Sequence, residues 1–166
     1  MKLFLLTLLN GLTLAALYFL VATGFTLVFG LMRNVNLAHG SLYLIGGYIA
    51  YSAIEATGVW LLGFAAAFMS MAVAGILLQT LVFRHMEGQD LRQTMVTIGL
   101  SIILADLALW IWGGEFYQIQ PPDWLFGAAA LPIVTGTTSS GAPVYLTYPM
   151  VRLVILGVAV VIGIGL

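Results

Sequence analysis

The sequence predicts an all-α integral membrane protein, a polytopic helical bundle, and three observations carry that expectation. Of 166 residues, 62% are apolar and 7% charged, whereas soluble domains carry roughly a quarter charged residues. The mean hydropathy is +1.12, and the apolar residues fall in several runs of about 20, the length a helix needs to cross a hydrocarbon core of about 30 Å. Those runs are continuous, whereas a membrane β-barrel alternates apolar and polar residues in segments of about ten.

About five transmembrane helices follow from the runs. Leu3 to Met32 carries no charge, and its core, residues 11–31, is the first span, tilted or preceded by an interfacial turn. Lys2 and the leucines after it could open a signal peptide, but the apolar character continues past any cleavage site, so the segment is read as retained. The second span, 37–54, begins in a polar cluster and contains Gly40, Gly46 and Gly47. It is expected to be broken or to enter the membrane late. A polar turn at Glu55 to Gly58 precedes a third span, 59–83, and a hydrophilic loop, 84–92. The fourth span, 93–112, is interrupted by one acid, Asp106.

Residues 115–147 hold four of the five prolines and no Lys or Arg, which reads as an ordered extramembrane loop with strand or hairpin pieces. A fifth span covers 148–166, and the apolar run reaches Leu166 without a polar exit, as in the N-terminal part of a longer chain. Basic residues concentrate on cytoplasmic loops. Arg84 and Arg92 therefore place loop 84–92 in the cytoplasm and loop 115–147 outside, with Arg33 at the cytoplasmic edge. Trp60, Trp110, Trp112, Trp124, Tyr117 and Tyr148 then fall near the outer surface as an aromatic belt.

Several function classes are excluded at this level. A net charge of -1 without a basic cluster gives nucleic acid no electrostatic footing. The chain has no cysteine, so disulfides and thiolate metal sites are absent. No second histidine stands at ligand spacing to His39, and no Ser-His-Asp arrangement is suggested. No metal, cofactor or catalytic residue is assigned, and the chain is not read as an enzyme.

The chemistry that remains sits in Arg33-Asn34-Val35-Asn36-Leu37-Ala38-His39-Gly40-Ser41, where hydrogen-bonding side chains interrupt an apolar sequence that must satisfy them. Asn36, His39, Gly40 and Ser41 are candidate pathway or gating residues, with Gly40 permitting a break or a close approach. The competing reading is that they stitch helices together by interhelical hydrogen bonds. Asp106 is a fifth candidate, as a proton relay, a contact to a substrate amine, or a hydrogen-bonding group. Thr97 and Ser101, on nearby turns, could share its stripe.

These segments are similar to a known pattern. Asn10-Gly11-Leu12, Gly24 to Met32, and Val35-Asn36-Leu37-Ala38-His39-Gly40-Ser41 with the Gly-rich helix after it resemble the N-terminal part of branched-chain amino-acid ABC transporter permeases. Arg84 to Arg92 followed by Thr97-Ile98-Gly99-Leu100-Ser101 resembles the family's cytoplasmic loop and next helix; the likeness covers about residues 10–114. It implies an inner-membrane subunit of an ATP-binding-cassette importer for leucine, isoleucine, valine, or a small solute such as urea or an amide. It also implies a second permease subunit, two cytoplasmic ATPase subunits and a periplasmic solute-binding protein as partners. The alternative, read from the residues, is a self-contained channel or proton-coupled carrier using Asp106.

Overall fold

The computed structural model describes residues 2–32, 34–137 and 143–166. Five α-helices are present among them: α1 (Lys2–Met32), α2 (His39–Thr57), α3 (Trp60–Leu81), α4 (Asp90–Trp112) and α5 (Met150–Gly165). Two 3₁₀ turns, Phe83–Met86 and Asp123–Leu125, and a hairpin of β1 (Ala128–Thr137) and β2 (Pro143–Pro149) complete the order. Three stretches, Lys2–Leu31, Trp60–Met86 and Asp90–Trp112, are long and apolar enough to cross a membrane. The helical form follows from the solvent: in hydrocarbon every backbone polar group must be satisfied within the protein, which a helix does within one segment. This is a multi-pass membrane protein.

By contacts the chain divides into two compact units, Met1–Ala22 with Pro121–Leu166, and Thr23–Gln120. In the first, the hairpin is antiparallel, with Ala128 opposite Pro149 and Leu131 opposite Leu146, and its register shifts twice between Leu131 and Gly136. Pro132 sits inside that irregular stretch, where a residue without an N–H does least harm to a ladder. Strand β2 runs through Tyr148 and Pro149, so the fifth helix starts at Met150 rather than 148. Tyr148, expected at the lipid interface, is 1% exposed. Its hydroxyl donates to Asn10 Oδ1 at 3.1 Å and lies 2.9 Å from Thr13 Oγ1, and Arg152 also donates to Asn10.

The second unit contains the end of α1, α2, α3 and α4. The expected break in the second helix is corrected here: α2 is continuous from His39 to Thr57, and the non-helical stretch is residues 34–38 ahead of it. Gly46 and Gly47 lie within an intact hydrogen-bonded helix; Gly46 packs against Met71, whereas a Cβ at Gly47 would meet nothing within 4 Å. The helix ends at Gly58, whose φ of 69° suits a left-handed cap and whose N–H reaches Ile54 O at 2.7 Å. Glu55 to Thr57, expected in the turn, still belong to the helix.

Gly63 of α3 lets α3 approach α2 closely. A Cβ there would stand 2.8 Å from Ala50 O and would also meet the Ile54 side chain. In the same half of α2, Tyr48 stacks on Trp112 of α4 at 5.1 Å, and Trp112 Nε1 donates to Ser52 Oγ at 2.8 Å. Tyr51 and Tyr117 join this aromatic group at 4.6 Å. Trp112 and Tyr117 thus bind α2 to the end of α4, while Trp110 and Trp124 are 83% and 69% exposed.

Candidate functional site

Residues 34–38 leave helical geometry where α1 ends, and their backbone donors need partners. Helix α4 supplies two from one face. Gln93, fully buried, accepts the Val35 N–H through Oε1 at 2.9 Å; Thr97, also fully buried, accepts the Leu37 N–H through Oγ1 at 3.2 Å. One turn further, Ser101 Oγ lies 2.9 Å from Ser41 Oγ. Gln93, Thr97 and Ser101 follow i, i+4 spacing, which stacks them along one side of a helix. The ladder holds an irregular segment that hydrocarbon would otherwise reject.

The segment also satisfies itself. Asn36 Oδ1 accepts the Ala38 N–H at 3.1 Å, the Asx arrangement that turns a chain, and His39 N–H reaches Asn36 O at 3.4 Å. Gln93 Nε2 donates to Met86 O at 2.9 Å and to Asn34 Oδ1 at 3.3 Å. Asn34 Nδ2 in turn donates to Gln79 Oε1 of α3 at 2.9 Å. Asn34 therefore links α4 to α3.

Beside this network lies a cavity of about 300 Å³. Its side chains with hydrogen-bonding groups are Asn34, Asn36, His39, Tyr43 and Gln79, and its apolar ones include Val28, Leu42, Met71, Leu78 and Phe83. His39 sits in the first turn of α2 with its ring edge-on to Phe25 at 6.0 Å. Its Nε2 faces Gly24, where an added Cβ would lie 3.3 Å away. Gly24 thus makes room for the imidazole.

The five residues singled out from sequence separate into distinct places. Asn36, 6% exposed, and His39, half-buried, meet at the cavity. Ser41 belongs to the ladder with Ser101, and Gly40 is exposed in the first turn of α2. Asp106 is exposed on α4, while Thr97 and Ser101 bond residues 35–41. Arg33 lies outside the described residues. Gln79 and Gln93 went unnoticed in the sequence, although each is the single amide in its apolar helix. Gln93 also begins the i, i+4 series that Thr97 and Ser101 continue.

Residues 7–164 match the family model described as the permease component of the branched-chain amino acid transport system. The chain belongs to that family. A similar permease is the high-affinity branched-chain amino acid transport system permease protein BraD of Pseudomonas aeruginosa, 29% identical over 137 residues, covering 75% of this chain and 45% of the relative. The high-affinity permease proteins LivH of Escherichia coli K12 and Salmonella typhimurium are 34% and 33% identical, each over 57% of this chain and 34% of the relative. The chain thus spans less than half the length of these curated relatives. No solved structure matches it.

Proposed function

We propose that this chain is a transmembrane permease subunit of an ATP-binding-cassette importer in the bacterial inner membrane, carrying branched-chain amino acids or a related small solute such as urea or an amide. The observation that carries the reading is the family match over residues 7–164. The given sequence holds no Gly-x-x-x-x-Gly-Lys phosphate loop. Two separate ATPase subunits would supply energy, a second permease subunit would complete the pathway, and a periplasmic solute-binding protein would deliver the solute. Arg84 and Arg92 orient the loop between α3 and α4 toward the cytoplasm.

Within that pathway Asn36 and His39 are the route-lining groups, with Gly40 and Ser41 shaping the start of α2. Asp106, on which a self-contained carrier would depend, is not among the cavity-lining residues. The test is uptake of radiolabelled leucine into proteoliposomes holding this chain with its second permease, ATPase and binding-protein subunits. Uptake that requires ATP and falls with His39→Ala at unchanged membrane level supports the reading. ATP-independent uptake by the chain alone, lost with Asp106→Asn, would overturn it in favour of the carrier.

A further inference from the structure

The amide groups around the cavity are oriented by backbone atoms that cannot reverse roles. The Val35 N–H can only donate, so it fixes Gln93 Oε1 toward itself, and Met86 O can only accept, so it fixes Gln93 Nε2. Gln93 Nε2 then obliges Asn34 to present Oδ1, leaving Asn34 Nδ2 to donate to Gln79 Oε1. Independently, the Ala38 N–H fixes Asn36 Oδ1.

Two amide nitrogens are left over at the end of these chains. Among the described residues, Asn36 Nδ2 and Gln79 Nε2 have no hydrogen-bond partner, although both residues line the cavity. No buried side-chain nitrogen or oxygen is without a partner among the described residues, so the Asn36 nitrogen, on a residue 94% buried, retains an open face. The free space that Asn36 borders is the cavity. Every amide oxygen around it is already engaged, and its free amide atoms are donors. The imidazole of His39 can add a third donor from the nitrogen that carries its proton.

We propose that this cavity is a binding subsite for the carboxylate of a small aliphatic solute, with the Asn36 and Gln79 NH₂ groups donating to its oxygens. Val28, Leu42, Met71 and Leu78 form an apolar wall for the solute's hydrocarbon part. The volume stands at the lower end of the roughly 300–1,000 Å³ typical of ligand sites, which suits an amino-acid-sized molecule. Phe83, in the turn leading to the Arg84–Arg92 loop, also lines the cavity, so the subsite lies on the side assigned to the cytoplasm. The proposal rests on the permease reading above and adds to it the atoms that recognise the solute.

Asn36→Asp and Gln79→Glu test it, because each keeps the oxygen that makes the inward bond and replaces the free NH₂ with an acceptor. In the assembled transporter, the KM for L-leucine uptake should rise at least about tenfold in either variant, the scale of one lost hydrogen bond to a charged group. Membrane level and ATP dependence should be retained. An unchanged KM in both variants, with wild-type uptake intact, overturns the subsite while leaving the permease reading standing. Absence of ATP-driven uptake in the wild type overturns the permease reading instead. Mass spectrometry of lipids co-purifying with the complex separates the other source of acceptor oxygens. Loss of a bound anionic phospholipid from both variants, with leucine KM unchanged, would assign the donors to a headgroup and overturn the solute proposal.

Discussion

Gln93 Oε1 accepts the Val35 N–H at 2.9 Å, joining a fully buried side chain of α4 to the backbone of a segment 58 residues earlier in the chain. Through this contact and its two donor bonds, one amide serves the 34–38 segment, Asn34 and the 83–86 turn together. A polar side chain inside an apolar helix is thereby fully used.

Replacing Gln93 with leucine keeps its bulk and removes all three bonds, leaving the Val35 N–H and the Met86 carbonyl without this partner. Each orphaned buried group costs about 1–3 kcal/mol, moderated in membranes because unfolded helices also find partners. Gln93→Leu should lower stability by at least about 2 kcal/mol, read as the unfolding midpoint of purified protein titrated with denaturing detergent. Thr94→Ala, on a neighbouring half-buried position whose hydroxyl only returns to Asp90 O, should change it far less.

The α2 and α3 backbones meet at Gly63. A methyl group there collides with Ala50 O and Ile54, so Gly63→Ala should cost about 1–3 kcal/mol, the usual range for overpacking. Gly47→Ala, where an added Cβ meets nothing within 4 Å, should be neutral or stabilising by roughly 0.5–1 kcal/mol, since alanine is the better helix former. The same detergent titration separates the two, and equal effects would mean that Gly63 is not at a helix contact.

The absence of native cysteine makes topology directly measurable. Glu87→Cys, exposed in the loop before α4, should react with a membrane-impermeant maleimide only after the inner membrane is opened. Glu115→Cys, exposed just beyond α4, should react in intact spheroplasts. The reverse pattern would invert the orientation inferred from Arg84 and Arg92.

Much of the helical layout was legible in the residues, because hydropathy averages over a window and needs no knowledge of neighbours. Helices α1, α3 and α4 form the long apolar stretches that such averaging picks out, although α1 begins at Lys2 and α4 at Asp90. The second helix was misread because its glycines and its polar start suggested one interruption inside the helix. In the structure the two signals separate: the polar residues shape the segment before α2, and Gly46 sits against Met71, where a Cβ would lie 3.2 Å away.

The candidate site divides along the same line. That a cluster at 33–41 must meet partners followed from the cost of burying polar groups in hydrocarbon, and that cost depends on residue type alone. Which partners it meets depends on α4 lying alongside the segment, so that Gln93, Thr97 and Ser101 face Val35, Leu37 and Ser41 across 58 to 60 positions of chain. The same packing leaves Asp106 exposed and brings in Gln79, which carries no local signal beyond being an amide. Amino-acid type decided the solvent, the elements and the need for hydrogen bonds. The assembled helices decided which atoms satisfy one another and which two donors remain to face the cavity, because hydrogen bonds depend on distance and direction that no residue possesses alone.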